Sequence, residues 1–133
     1  MLKQQTKLRV RLYARLSKDD GDADKESNSI TNQLQMLRYN AKEKGFEVIG
    51  EYVDDGYSGN HLQTGPDLNR MIKDAMDDPE PSGIMVKDMS RFGRNNAMFM
   101  YYVEEIFPNN DILFIALNDD VDTRFDENEM MPF

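Results

Sequence analysis

Short apolar runs separated by amphipathic segments are the feature that most restricts the fold of this 133-residue chain. Residues 84–87 (IMVK) and 112–117 (ILFIAL) are apolar runs typical of strands that are buried on both faces. Residues 8–14 alternate between apolar and polar side chains, and residues 46–53 (FEVIGEYV) form a further predicted strand. Because helical segments lie between these strands, we predict one α/β domain with three layers, in which helices flank a mostly parallel central sheet.

The first predicted helix covers residues 28–44. Its apolar positions recur at helical spacings, and Ser27 or Asn28 is the expected N-cap. Gly45 is the expected end of the helix, because glycine tolerates the left-handed conformation found there.

Two further helices are predicted between the later strands. Pro66 is suited to the first turn of a helix and opens the second, which the polar segment 77–83 (DDPEPSG) ends. The third covers residues 96–107 (NAMFMYYVEEIF), and Pro108 is expected to close it.

The balance of charge argues against nucleic-acid binding through the overall field of this domain. The net charge is −9, and acidic residues concentrate at 19–26, 74–80 and 118–129, which we interpret as solvated faces. The absence of cysteine excludes disulfides and thiolate metal sites. No apolar run approaches the ~20 residues that span a bilayer, so we predict a cytoplasmic protein that does not enter a membrane.

Polar clusters follow three of the predicted strands. In a parallel sheet the carboxyl ends of the strands share one edge, and ligands bind in the crevice there. The sequence therefore predicts a site at this edge. Its candidate members, in chain order, are Arg15, Ser17, Asp54, Asp55, Tyr57, Ser58, Lys87, Asp88, Ser90, Arg91 and Arg94.

Guanidinium groups around one hydroxyl favour phosphate chemistry. Arginine side chains stabilise the charge that grows on a phosphodiester under attack, and Ser17 is the candidate nucleophile. Asp55 or the field of the arginines would activate it, since the only histidine, His61, has no obvious partner. Simpler interpretations remain: Ser17 as a turn cap, the later arginines as a solvated loop, and the Asp54–Asp55 pair as a turn, supporting residues or a weak divalent-metal site.

Four segments in order resemble the motifs of the serine recombinase catalytic domain, in particular the large serine recombinases and transposon recombinases. The segments are YARLS (13–17), SITNQ (29–33), YVDDGYSG (52–59) and VKDMSRFGR (86–94).

The resemblance implies a resolvase-like fold and a site-specific DNA recombinase. It implies that Ser17 forms a 5′-phosphoserine link to cleaved DNA, that Arg15, Arg91 and Arg94 hold the scissile phosphate, and that no metal or other cofactor is needed. It also implies supporting active-site roles, which we extend to the neighbouring polar residues of the third cluster. The supporting residues are Gln33, Asp55, Ser58, Ser90 and Lys87.

Two departures from the family pattern qualify these expectations. Thr64 stands where the family usually carries an arginine. Residues 1–133 are expected to form the amino-terminal catalytic domain, truncated near Asp126 where the long interface helix of the family would begin. Double-stranded DNA would then be bound mainly outside this chain, and the dimer or tetramer would form in the full-length protein.

Two other functions stay open at this stage. The first is a catalytically impaired relative that acts only in assembly or DNA-site binding, which Thr64 motivates. The second is a phosphoacceptor signalling domain. That function fits less well, because its acid pair should end the first strand, where this chain has Arg15 and Ser17.

Overall fold

A five-stranded sheet forms the centre of the computed structural model, which describes residues 7–16, 29–55, 65–88, 100–119 and 121–123. The strand order is β2-β1-β3-β4-β5, with the first four strands parallel and β5 antiparallel to β4. This confirms the predicted α/β class. The strands are β1 (Arg9–Leu16), β2 (Glu47–Asp55), β3 (Ser82–Val86), β4 (Ile112–Ala116) and β5 (Val121–Asp122).

Helices cover both faces of the sheet. Helix α1 (Ile30–Glu43) packs on one face with Val10, Leu12 and Ala14 of β1. On the other face lie helix α2 (Pro66–Asp77) and a helical segment, α3, at residues 100–109. Both faces of the central strands are therefore buried, which explains their nearly continuous apolar sequences.

The ends of α1 follow from local chemistry. Ser29 is the N-cap, and its hydroxyl accepts a hydrogen bond from the Asn32 N–H at 3.1 Å. The expectation of Ser27 or Asn28 was therefore wrong by one or two residues. Gly45 follows the helix with φ of +76°, the left-handed conformation that favours glycine, as predicted.

Helix α3 departs from the prediction at its carboxyl end. Pro108 was expected to close the helix, yet helical geometry continues through Phe107–Asn109. Proline lacks an N–H, and its ring clashes with the carbonyl four residues earlier, here that of Glu104. A π-helical turn, Tyr102–Ile106, accommodates this, and the Phe107 N–H bonds instead to the Tyr102 carbonyl. The first part of the predicted helix, residues 96–99, lies outside the described residues.

The first two strands extend further than predicted at their carboxyl ends. Arg15 lies inside β1, and Asp54 and Asp55 are the last two residues of β2, because the two strands pair as far as Leu16 and Asp55. The strand predicted at 84–87 begins two residues earlier and ends one residue earlier, and the strand predicted at 112–117 ends one residue earlier. The arginine and the acid pair are consequently held by strand hydrogen bonds.

The strand order reverses direction between β1 and β3. The connection from β1 leads through α1 to β2 on one side, and the next leads through α2 to β3 on the other side. Such a reversal separates the loops at the carboxyl ends of the two strands, and ligands of open α/β sheets bind at this point. The fold therefore favours a site beside Arg15.

Candidate active site

Arg15 is held at the carboxyl end of the central strand. Its side chain is buried, at 2% exposure, and in the strand register of β1 and β2 it lies opposite Asp54. The pairing of β1 with β3 ends earlier, at Tyr13 and Val86. Beyond Tyr13, strand β1 therefore runs on with a sheet neighbour on one side only.

Gln33 supplies hydrogen bonds to the main chain of Arg15. Its side-chain oxygen accepts from the Arg15 N–H at 3.0 Å, and its amide nitrogen donates to the Arg15 carbonyl at 2.8 Å. Gln33 is fully buried in the first turn of α1. The structure thus brings together two of the predicted site residues, with the contact made through the backbone of Arg15.

Asp54 connects three elements at the same edge. The carboxylate, 1% exposed, accepts a hydrogen bond from the Tyr13 hydroxyl at 2.7 Å. It also accepts from the N–H groups of Asp67 and Leu68, each at 2.9 Å. The N-cap residue of α2 is Gly65, which has no side chain to do this, so Asp54 caps the helix from the neighbouring strand.

Gly65 is matched to this capping carboxylate. A Cβ atom at this position would overlap the Asp54 carboxylate. Glycine is therefore required for a steric reason, and the requirement fixes how closely α2 approaches β2.

Tyr13 serves as a neutral donor at this edge. Burial is the main cause that raises its pKa, and the charge of Asp54 and the hydrogen bond to it act in the same direction. A phenol in this setting keeps its proton and cannot act as a base near neutral pH. Its hydroxyl instead helps to satisfy the buried Asp54.

The other described candidates lie at the ends of their strands. Asp55 ends β2 with an exposed side chain, in contrast to the buried Asp54. Lys87 follows β3 directly and is half-buried, and its carbonyl accepts a hydrogen bond from the Asn118 N–H at 2.8 Å. Asp88 follows Lys87 and is also half-buried. The remaining predicted residues lie outside the described residues; they are Ser17, Tyr57, Ser58, His61, Thr64, Ser90, Arg91 and Arg94.

The sequence-based prediction gave a supporting role to Asp55 and none to Asp54 beyond membership of the acid pair, and it gave Tyr13 no role. A signal did exist for Asp54. The predicted second helix opens at Pro66, and neither Pro66 nor the preceding Gly65 has a capping side chain, so its amide groups need an acceptor from another element.

The opposite edge of the sheet carries a second charged cluster. Arg11, 7% exposed, donates to the Ser82 hydroxyl at 3.1 Å and to Asp78 at 3.0 Å, and Arg9 also lies 3.0 Å from Asp78. Asp78 belongs to the acid run at 74–80 that was interpreted as a solvated face. For Asp78 this was wrong, because its side chain is only 4% exposed.

Neither a metal site nor a membrane span is found in the part of the chain that the structure describes. In these ranges no cluster of three or more histidine, cysteine, aspartate or glutamate side chains could hold a metal ion. No helix there is both long and apolar enough to cross a membrane.

Comparison with known proteins identifies the family. The model of the resolvase N-terminal domain matches residues 10–132, which is most of the chain and includes every strand residue described above except Arg9. The chain belongs to the resolvase family. The predicted resemblance to the serine recombinase catalytic domain is confirmed, and the expectation of a phosphoacceptor signalling domain is set aside.

Solved structures of this family share the fold. The N-terminal catalytic domain of TP901-1 integrase is 27% identical, with a TM-score of 0.72 over 92% of this chain and 86% of that one. A resolvase family site-specific recombinase from Streptococcus pneumoniae is 28% identical, with a TM-score of 0.71 over 93% of this chain and 81% of that one. No curated protein matches the chain.

A more distant resolvase relative shows the fold alone. The C-terminal catalytic domain of ISC1926 TnpA, an IS607-like serine recombinase, is 23% identical, with a TM-score of 0.65 over 83% of this chain and 67% of that one. The family model and the solved structures thus agree on a resolvase N-terminal domain and on its fold.

Proposed function

We propose that this domain cleaves and rejoins DNA through Ser17. The Ser17 hydroxyl oxygen attacks the scissile phosphorus, a serine–phosphate bond forms at the 5′ end, and the bond to the 3′ oxygen breaks. The serine proton passes to a neighbouring base such as Asp55. The 3′ oxygen leaves as an alkoxide, whose charge the arginines stabilise, and takes up a proton from water. The reverse attack by a 3′ hydroxyl rejoins the strands without an external energy source.

The placement of Arg15 is the observation that carries this proposal. Arg15 is buried at the carboxyl end of the central strand, beside the reversal of strand order at which ligands of such sheets bind. Ser17 follows it by two residues in the sequence. A fixed guanidinium stabilises negative charge as it develops on the phosphate oxygens, and it needs no reorganisation during the reaction.

The other residues of the site have roles in the same proposal. Arg91 and Arg94 hold the scissile phosphate together with Arg15. The supporting residues keep these groups in place or tune the charge around them, and no metal or other cofactor takes part. They are Gln33, Asp55, Ser58, Ser90 and Lys87.

Double-stranded DNA is the proposed substrate, and the protein is proposed to be cytoplasmic and encoded by a bacterium or by a phage or other mobile element. The net charge of −9 indicates that most of the affinity for DNA resides in parts of the full-length protein outside this chain. Dimers, and tetramers during strand exchange, are proposed for the full-length protein, in line with the recombinase family.

The experiment incubates the full-length protein with a nicked duplex that carries its recombination site. A denaturant-resistant protein–DNA adduct should form on Ser17, located by mass spectrometry, and Ser17→Ala should abolish it. Thr31→Ala is the control, since it removes an exposed hydroxyl from α1 and should leave the adduct intact. An adduct that persists in Ser17→Ala would contradict the proposal. DNA binding without any adduct would favour a catalytically impaired relative instead, with Thr64→Arg as the next variant.

A further inference from the structure

We infer that Gln33 is a positioning residue, which acts on cleavage through the main chain of Arg15 and not by contact with the phosphate. This inference rests on the proposed function. The carrying observation is the pair of hydrogen bonds, at 3.0 and 2.8 Å, that joins the Gln33 amide to the N–H and the carbonyl of Arg15.

The amide takes the place of a missing strand. Pairing of β1 with β3 stops at Tyr13, whereas β1 continues to Leu16. A buried main-chain N–H or carbonyl without a partner is costly, so an extension of this kind needs another source of hydrogen bonds. Gln33 offers one donor and one acceptor side by side, as a neighbouring strand would.

The side chains of Gln33 and Arg15 lie on opposite faces of the sheet. Ala14 packs in the cluster under α1, whereas Tyr13 packs in the cluster under α2 and α3. Because side chains alternate along a strand, Arg15 projects on the same face as Tyr13. Gln33 reaches from α1 on the other face, and its amide meets Arg15 at the backbone.

The position of the amide is itself fixed by the start of α1. The Gln33 N–H donates to the Ser29 carbonyl at 2.9 Å, which closes the first helical turn behind the Ser29 cap. The side chain is fully buried, so its rotamer is restricted by packing. The start of α1 thus helps to position the last residues of β1, which ends at Leu16, directly before the proposed nucleophile Ser17.

Gln33→Met tests this role, because methionine has a similar shape but cannot make either hydrogen bond. We expect the rate of single-turnover cleavage at saturating DNA to fall about 10- to 100-fold, as small misplacements of catalytic groups do. Affinity for DNA should change less than about 2-fold. Hydrogen exchange at the Arg15 amide should accelerate. Gln35→Met is the matched control on the exposed face of the same helix and should change none of these quantities.

A double-mutant cycle distinguishes positioning from direct contact with the phosphate. If Gln33 acts through Arg15, Gln33→Met should slow cleavage less than about 3-fold when Arg15→Gln is already present, because coupled residues are not additive. If the fold-losses in cleavage rate from the two substitutions multiply in full, Gln33 acts independently of Arg15 and the inference is wrong. A wild-type rate per folded molecule in Gln33→Met, with faster exchange at Arg15, would also overturn it.

These outcomes are separable from failure of the proposed function. An adduct that survives Ser17→Ala rejects the serine mechanism whatever Gln33 does. An adduct that requires Ser17 but is insensitive to Gln33→Met retains the mechanism and rejects the positioning role. Should Gln33→Met fail to fold, Gln33→Glu provides a second variant, since its carboxylate keeps the acceptor for the Arg15 N–H and loses the donor to the carbonyl. It should cleave more slowly than wild type while the Gln35→Glu control does not.

Discussion

Arg11 and Arg15 lie on the same strand and the same face, yet the protein surrounds them differently. They are four residues apart, which is roughly 13 Å along a strand. Arg11 binds the buried carboxylate of Asp78 and the hydroxyl of Ser82 at the amino edge of the sheet. At the carboxyl edge, the buried carboxylate nearest in register to Arg15 is Asp54, and its hydrogen bonds all come from neutral donors.

The difference lies in how the sheet satisfies the buried carboxylate at each edge. A guanidinium bound to a buried carboxylate is neutralised by it, so the pair serves the fold and leaves little charge for a ligand. Asp54 is instead satisfied by the Tyr13 hydroxyl and by amide groups at the start of α2, where the helix dipole also favours a negative charge. This carboxylate is therefore satisfied by hydrogen bonds from uncharged groups, in contrast to Asp78, which two arginines contact.

The largest effect should come from removing the charge of Arg15. In Arg15→Gln, formation of the adduct should slow about 10²- to 10³-fold, since loss of one fixed donor to a charged transition state has effects of that size. Single-turnover cleavage of the nicked duplex, corrected for the folded fraction, measures this change.

The matched substitution at the other edge is Arg11→Gln. Cleavage per folded molecule should change less than about 3-fold, because Arg11 faces Asp78 and Ser82, away from the proposed site. Equal losses of cleavage in the two variants would remove the functional distinction between the edges.

The second prediction concerns the contribution of the amino edge to stability. Arg11→Met should lower the free energy of unfolding by about 3 kcal/mol, because it removes one partner from a buried ion pair. Urea denaturation followed by circular dichroism measures the loss. Lys73→Met is the control, since the Lys73–Asp77 pair is solvent-exposed and such pairs add little. A loss in Arg11→Met as small as in the control would show that Arg9 alone is enough for Asp78.

Most of the fold could be predicted because its signals are local and repeated. The apolar runs at 84–87 and 112–117 correspond to β3 and β4 within one or two residues. Gly45 and Pro66 mark the end of α1 and the start of α2, where each residue's backbone preference matches the observed position. Strand ends were less accurate, since β1 and β2 extend through their mutual pairing and that is a tertiary effect.

The candidate site could be predicted by residue type but not by contact. Arg15 and Gln33 were both identified, yet their link through the Arg15 main chain depends on where β3 stops, which no local pattern reveals. Asp54 and Asp55 are adjacent and chemically identical, and only alternation along β2 buries one and exposes the other. Asp78 appeared to belong to a solvated acid run because its partners lie more than 60 residues earlier in the chain.

The smallest predicted effect uses pH to separate the two edges. The backbone N–H of Glu80 is the main cause that lowers the pKa of Asp78, and Arg11 and Arg9 lower it further against the opposing effect of burial. A carboxyl group with a lowered pKa in the folded state stabilises the protein above its ordinary pKa of about 3.9. That contribution is lost as the pH falls from the ordinary pKa through the lower pKa of the folded state.

Asp78→Asn should therefore make the free energy of unfolding less dependent on pH below about pH 4, by at most the ~1.4 kcal/mol per pH unit that one proton allows. Urea denaturation at a series of pH values from about 6 to 2.5 measures this slope. Asp77→Asn is the control, because it removes an exposed carboxylate from the adjacent position and leaves the buried ion pairs in place. If Asp78→Asn keeps the wild-type slope, the acid sensitivity of the domain arises elsewhere. The amino edge would then be a site of packing more than of charge, and its contrast with the carboxyl edge would rest on the cleavage data alone.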